Sequence, residues 1–200
     1  DDLRARTEAY SSHLLALHNT AIGQEELFAA HRGYEKLLAG IEPLAERAWK
    51  NHEKIRIGYL SPDFRRHVMV SFIYGLFVRF DRARFEVYAY SLAEEDGFTE
   101  ALKEHATAWR NVAGLSFAEI AERIRADEID VLVDLAGHSA GGALPVLAYR
   151  PAPVQVSGLG YVNTTGLSAV DYFLTDDIVD PPGRHDAFLT EEPVCLTSQF

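Results

Sequence analysis

From Lys54 onward, short apolar runs of strand length alternate with longer runs of helical spacing, and glycine or proline stands at most of the junctions. Few folds accept that alternation. Strands separated by helices cannot close as hairpins, so they lie parallel and are joined by right-handed crossovers. The strand-like runs are 54–61, 85–91, 129–135, 154–159 and 171–175. Helical runs fall at 68–80, 98–106, from Ser116, and at 143–149. Ser116 and Glu119 stand in capping-box spacing, and Phe117, Ile120, Ala121 and Ile124 follow on one helical face. The pattern predicts a Rossmann-like α/β lobe over 54–200.

In such a sheet, ligands sit at the loops leaving the carboxyl ends of the strands. The first of these loops is short and polar. After Ile55, Ile57 and Tyr59, the strand stops at Ser61-Pro62, because proline withdraws a backbone donor. The loop then carries Asp63, Arg65, Arg66 and His67 before the apolar run begins. Asp63 and His67, four residues apart, form a candidate acid–base pair. A helix N-terminus disfavours an imidazolium, which leaves a neutral ring able to accept a proton or bind a hydroxyl. The plain alternatives are a turn aspartate and a histidine bonded to a neighbouring carbonyl. Arg65 and Arg66 read as phosphate ligands or as solvated surface. The acidic turn at Glu94-Glu95-Asp96-Gly97 reads most simply as a solvated loop.

Two further loops, at 137–142 and 160–166, are rich in glycine and let a ligand approach the backbone. Neither matches a P-loop or the G-x-G-x-x-G fingerprint. Gly137-His138-Ser139-Ala140-Gly141 is a full G-x-S-x-G between strand and helix, and Asp171, Asp176 or Asp177 followed by His185 would complete a serine-hydrolase order. No HGGG-type oxyanion segment precedes it, and the span from Ser139 to His185 leaves little room for the intervening sheet. The turn-forming reading therefore ranks above the hydrolase. His13, His18, His31, His105 and His185 show no ligand spacing with cysteine or carboxylates, so no metal site is expected.

Residues 1–53 read as two helices and a connector. In the second helix Leu27, Phe28, His31, Tyr34, Leu37, Leu38 and Ile41 share a face, with Gly40 suited to the stop. In the first, Leu14, Leu15 and Leu17 give an apolar patch. The pair is expected to end a helical repeat array. A net charge of −11 argues against non-specific binding to nucleic acid or anionic membrane. No run approaches the ~18 apolar residues of a membrane span. One cysteine, Cys195, excludes an internal disulfide framework and fits a reducing, cytoplasmic setting. The start at Asp1-Asp2 and the end at Gln199-Phe200 read as cuts in a longer polypeptide.

Taken together, RIGYLSPDFRRH (56–67), RFEVYAYS (84–91), DVLVDLAGHSAGG (130–142) and YRPAPVQVSGLGYVNTTGLSAVDYFLTD (149–176) resemble glycosyltransferase family 41, the O-GlcNAc transferase and SPINDLY family. SSHLLALHN (11–19) and EELFAAHRGYEK (25–36) extend the likeness to the helices. The resemblance implies a GT-B enzyme with two Rossmann-like lobes behind a tetratricopeptide array, of which this chain holds the array's end and the N-terminal lobe. It implies inverting transfer of a sugar, typically GlcNAc from UDP-GlcNAc, to Ser or Thr of a protein acceptor, with no metal or cofactor. By position, His67 matches the family's active-site histidine and Asp63 the aspartate that receives or relays the acceptor's proton. Leu159, Gly160 and Tyr161, continuing through Val162, Asn163 and Thr164, match the loop against the donor sugar. The 137–142 turn matches a G-H-T-A-G-N type loop, which makes the G-x-S-x-G a coincidence. Tyr10 stands where some members have a second active-site histidine. Val68 replaces the usual proline after His67, and Val162-Asn163 replaces Pro-Gly, so an altered sugar preference or weaker activity is expected. The C-terminal lobe, which in that family holds most of the donor nucleotide, is an expected partner, and without it this lobe is expected not to turn over.

Overall fold

The computed structural model describes residues 2–45, 51–178, 180, 181, 183 and 186–196. Two helices, α1 (Asp2–Leu17) and α2 (Gln24–Tyr34), come first. The second tightens into a 3-10 turn over Glu35–Leu38, so the α-helix itself ends before the expected stop at Gly40. The lobe then runs β1 (Ile55–Ser61), α3 (Val70–Val78), β2 (Phe85–Ser91), α4 (Gly97–Lys103), β3 (Ala108–Asn111) and α5 (Phe117–Ala126). It continues with β4 (Val131–Asp134), a 3-10 helix over Leu144–Tyr149, β5 (Val154–Gly158), β6 (Tyr172–Asp176) and β7 (Glu192–Leu196).

All seven strands form one sheet in the order β3-β2-β1-β4-β5-β6-β7, and every pairing is parallel. The order reverses between β1 and β4, and at that switch point the loops on either side diverge and leave room for a ligand.

Strand alternation here separates two cores rather than inside from outside, as expected where helices cover both faces of a parallel sheet. Ile57, Tyr59, Val87, Ala89 and Val133 face Ile73 and Phe77 of α3 and Leu102 of α4. Leu60, Tyr90 and Leu132 face Phe117, Ile120, Ala121 and Ile124 of α5. The Ser116–Glu119 capping box forms, with Ser116 N donating to Glu119 Oε2 at 2.8 Å and Glu119 N to Ser116 Oγ at 3.3 Å.

Tyr34 and Leu38 belong to the α5-side core, so the helix pair shares the lobe's interior across the expected boundary at 53/54. Three contacts reinforce the join. Arg4 donates to the Leu115 carbonyl at 2.9 Å, Leu44 N to the Tyr149 carbonyl at 2.8 Å, and Ser168 N to Glu35 at 2.9 Å. Of the patch expected in α1, Leu14 is fully buried, whereas Leu15 is 37% exposed.

Two strands have no counterpart in the sequence pattern: β3 and β7, the two edges of the sheet. Edge strands are short and tolerate polar residues and proline, so their signal is weak. The helix expected over 143–149 forms as the 3-10 helix Leu144–Tyr149, with Pro145 in its first turn. Part of the expected connector, 46–50, lies outside the described residues. No helix among the described residues is long and apolar enough to cross a membrane.

Candidate active site

The three loops meet at the carboxyl edge. Ser139 Oγ donates to the Gly160 carbonyl at 2.7 Å, joining the loop after β4 to the loop after β5. An ideal Cβ on Gly141 would stand 3.3 Å from Pro62 Cβ, which brings the loop after β1 against the same turn. At Gly160 a Cβ would stand 2.1 Å from the Leu135 carbonyl oxygen, so only glycine fits there.

The first loop is anchored from beneath and from the side. Phe64 is fully buried against Phe77 and Trp109, with ring centroids 5.3 and 5.4 Å away. Its carbonyl accepts from Thr99 Oγ1 at 2.7 Å. Asp96 caps α4 and accepts from Arg66 N at 2.7 Å. The acidic turn is thus a clamp on the Asp63 loop, not merely a solvated bend. Glu95 beside it takes Lys103, Trp109 and Asn111.

Asp63 is held in place by Phe64 and by its own amide, which donates to Ser61 Oγ at 3.0 Å. Its carboxylate is 9% exposed, and Oδ1 lies 3.3 Å from Nδ1 of His67, whose side chain is 40% exposed. Burial raises the Asp63 pKa, while His67 and Arg65 oppose the shift. A carboxylate raised this way is a stronger base than a solvated one. Met69 N donates to His67 Nδ1 at 3.4 Å. With Nδ1 accepting, the neutral ring carries its proton on Nε2, and Asp63 Oδ1 meets the ring as a charge contact rather than a hydrogen bond. The helix begins at Val70, with Val70 N donating to the His67 carbonyl, so His67 opens the turn that leads into α3. The pair can receive a proton from a hydroxyl and hold it.

Leu159 has φ +74°, and Gly160 N bonds back to the Gly158 carbonyl at 3.0 Å, closing a three-residue turn. That conformation costs a non-glycine residue about 1–3 kcal/mol and occurs mainly at functional sites. Leu159, Tyr161, Val162 and Asn163 line a cavity of about 490 Å³ together with Phe72 of α3 and Phe28 of α2. Its size lies in the ~300–1,000 Å³ range of small-molecule pockets. Val162 is 77% exposed at its rim.

Gly160 is not among the lining residues, and Thr164 and Tyr10 stand elsewhere altogether. Thr164 is buried, and its hydroxyl donates to Glu191 Oε2 at 2.7 Å. Glu191 also takes Thr165 N at 2.7 Å, the Thr165 hydroxyl, and Thr190 N at 3.1 Å. Thr164 therefore fastens the loop to the segment before β7. Tyr10 packs between the helices, its hydroxyl donating to the Ala30 carbonyl at 3.0 Å and its ring edge-on to Tyr34. Neither has a hydroxyl left for the cavity.

Among the described residues no hydrolase triad assembles. The Ser139 hydroxyl is bound to a carbonyl, and Asp171 holds Arg150 at 2.8 Å and Gln155 N at 2.8 Å. Asp176 accepts from Ile178 N at 2.8 Å, and His185 lies outside the described residues. The 137–142 turn is instead pinned by Asp134. That fully buried carboxylate accepts from Ala136 N, Gly137 N and Ser157 Oγ, and burial raises its pKa. Among the described residues, no three His, Cys, Asp or Glu side chains converge as a metal site.

Sequence spacing missed the partners that hold these loops: Asp96, Thr99, Asp134, Glu191, and the histidines His18, His31 and His138. Only His31 carried a usable signal, a polar ring on the apolar face of α2.

Known proteins resemble this chain in sequence and fold. A solved structure of a Thermobaculum terrenum O-GlcNAc transferase mutant superposes with a TM-score of 0.87 at 35% identity, covering 96% of this chain and 38% of that one. The probable UDP-N-acetylglucosamine–peptide N-acetylglucosaminyltransferase SPINDLY of Arabidopsis thaliana is 37% identical over 184 residues, which is 87% of this chain and 20% of the relative. The UDP-N-acetylglucosamine–peptide N-acetylglucosaminyltransferase of Caenorhabditis elegans is 33% identical over 154 residues, 76% of this chain and 13% of that protein. The chain thus spans about a fifth or less of these two relatives. The family model described as Glycosyl transferase family 41 matches residues 42–196, and with its sheet, its three loops and its relatives in agreement, the chain belongs to glycosyl transferase family 41.

Proposed function

We propose that this lobe takes part in inverting transfer of GlcNAc from UDP-GlcNAc to Ser or Thr hydroxyls of proteins, needing neither metal nor cofactor. The observation that carries the reading is the Asp63–His67 pair, at 3.3 Å, on loops that meet the strained Leu159 turn at one sheet edge. The acceptor oxygen attacks the anomeric carbon as the bond from that carbon to the β-phosphate oxygen breaks. UDP leaves with the bonding electrons, and the acceptor's proton passes to Asp63 directly or by way of His67. Leu159, Val162 and Asn163 line the donor-sugar side. The transfer is a matter of holding two reactants in line and stabilising the departing diphosphate, so most of the rate comes from positioning and electrostatics. At the described loops the cations near the pair are Arg65 and Arg66, both exposed, and most contacts to the departing diphosphate fall outside this lobe. A second, C-terminal lobe supplies those contacts in the reading offered here, and the protein works in the cytoplasm on protein acceptors, without nucleic acid or membrane.

The test incubates the full-length protein with UDP-GlcNAc and follows UDP release and sugar incorporation. Release that disappears in His67→Ala and Asp63→Ala supports the reading. A wild-type protein that releases no UDP and labels neither peptide nor itself sinks it.

A further inference from the structure

We propose that Tyr161 is a positioning residue, clamped through its hydroxyl by one imidazole from each part of the helix pair, so that residues 2–34 set the place of the donor-side loop. The inference rests on the transferase reading for its kinetic consequence, but its geometry stands apart from it. Tyr161 is 5% exposed. Its hydroxyl lies 2.8 Å from His31 Nε2 on α2 and 3.0 Å from His18 Nε2, just past the end of α1.

The proton directions follow from the outermost partner. His31 Nδ1 is 2.8 Å from the Leu27 carbonyl, which can only accept, so Nδ1 carries the proton and Nε2 accepts. Tyr161 must then donate to His31, and its free lone pair accepts from His18 Nε2–H. Burial raises the Tyr161 pKa, which keeps the phenol protonated for that role. The ring is enclosed as well. His138 stands 5.2 Å away, His18 5.7 Å and His31 5.8 Å, and a Cβ on Gly137 would come within 2.5 Å of Tyr161 Cβ. His138 is itself tied to α1 through Ser11 Oγ at 2.9 Å. Gly166, at the far end of the same loop, packs on the backbone of α2, where a Cβ would stand 2.2 Å from the His31 carbonyl oxygen.

The hydroxyl is therefore fully engaged by the helices. Tyr161 itself lines the cavity beside Leu159, Val162 and Asn163 of the same loop. With its hydroxyl held by the helices, Tyr161 fixes the position of that wall, and the helix pair becomes part of the donor site although it contributes no reacting group.

The test uses the full-length protein with Tyr161→Phe, His18→Asn and the double variant. Hydrogen–deuterium exchange of residues 158–164 is the first readout. Exchange should rise about tenfold in Tyr161→Phe, rise less in His18→Asn, and be no faster in the double variant than in Tyr161→Phe, since one linkage is removed in all three. The second readout is UDP release, where KM for UDP-GlcNAc should rise about tenfold in Tyr161→Phe while KM for the peptide is unchanged. Loop exchange within twofold of wild type in Tyr161→Phe, or additive effects in the double variant, overturns the clamp. A wild type that releases no UDP defeats the transferase reading instead, and the exchange data alone then decide the clamp.

Discussion

His138 predicts a sharp acid sensitivity. It is 1% exposed, and burial, with His31 and His18 pushing the same way, lowers its pKa to about 3 against a smaller opposing effect from the Thr165 carbonyl. Nε2 lies 2.9 Å from that carbonyl, so Nε2 carries the proton and Nδ1 accepts from Ser11 Oγ. In the unfolded chain the ring titrates near the usual 6.5. Between those values the unfolded state holds more protons, so stability is lost as pH falls through 6.5 toward 3. At pH 5 the loss is about 2 kcal/mol, from roughly 1.4 kcal/mol per unit over the ~1.5 units below 6.5. For a domain of this size that corresponds to a drop in Tm of about 4–8 °C. The assay compares thermal melts at pH 7 and pH 5 for wild type and His138→Gln. Glutamine keeps a donor for Thr165 and an acceptor for Ser11 but has no proton to gain. The His18 and His31 contributions persist in both proteins and cancel in the difference. The wild type should therefore lose about 2 kcal/mol more than the variant. Equal losses, or a folded-state ring that titrates near 6.5 by NMR, would refute the reasoning.

Three other perturbations test the site. Gly160→Ala forces a methyl to 2.1 Å from the Leu135 carbonyl, and the resulting shift of about 1 Å should lower UDP release by roughly 100-fold; an unchanged rate contradicts the close approach. Asp63 has its folded pKa raised by burial, so its ionisation weakens the fold as pH rises above about 4. Asp63→Asn should thus melt higher than wild type at pH 7 and lose that advantage below pH 4, while turnover drops at least 100-fold; a lower Tm at pH 7 would count against the burial argument. Glu191→Gln gives up at least one charge-assisted hydrogen bond to the 164–165 backbone or hydroxyls, about 1.5–3 kcal/mol by urea titration, and a loss under 0.5 kcal/mol would mean the carboxylate is not the fastener.

The sequence disclosed most where one short stretch carried the whole signal. β1 and β2 were legible because their apolar residues and loop breakers are contiguous, and Asp63 and His67 because they follow the first strand directly. β3 was not, since Ala108–Asn111 offers four residues with one arginine and one asparagine. Nor was β7, which carries Pro193 and an exposed Val194. The clamps were illegible for a different reason. His18 and His31 stand 143 and 130 residues from Tyr161, and Thr99 stands 35 from Phe64, so no window of sequence holds both partners. Reading Tyr10 and Thr164 by position alone placed them on the substrate, whereas the hydrogen bonds each makes at home turn them toward the scaffold.

The strand order carries a consequence for how the chain is made. From β1 the sheet grows to one side as β2 and β3, then to the other as β4, β5, β6 and β7, always in the order of synthesis. No strand has to be inserted between two that are already paired. A chain leaving the ribosome can therefore add each strand to an edge that is already open, without undoing earlier pairings, which suits N-terminal-first folding. The same order leaves two naked edges at every stage, and once β3 is in place only one of them is still to be covered by a later strand. During synthesis that edge, the β4 side before β5 arrives for example, is where a neighbouring nascent chain would pair.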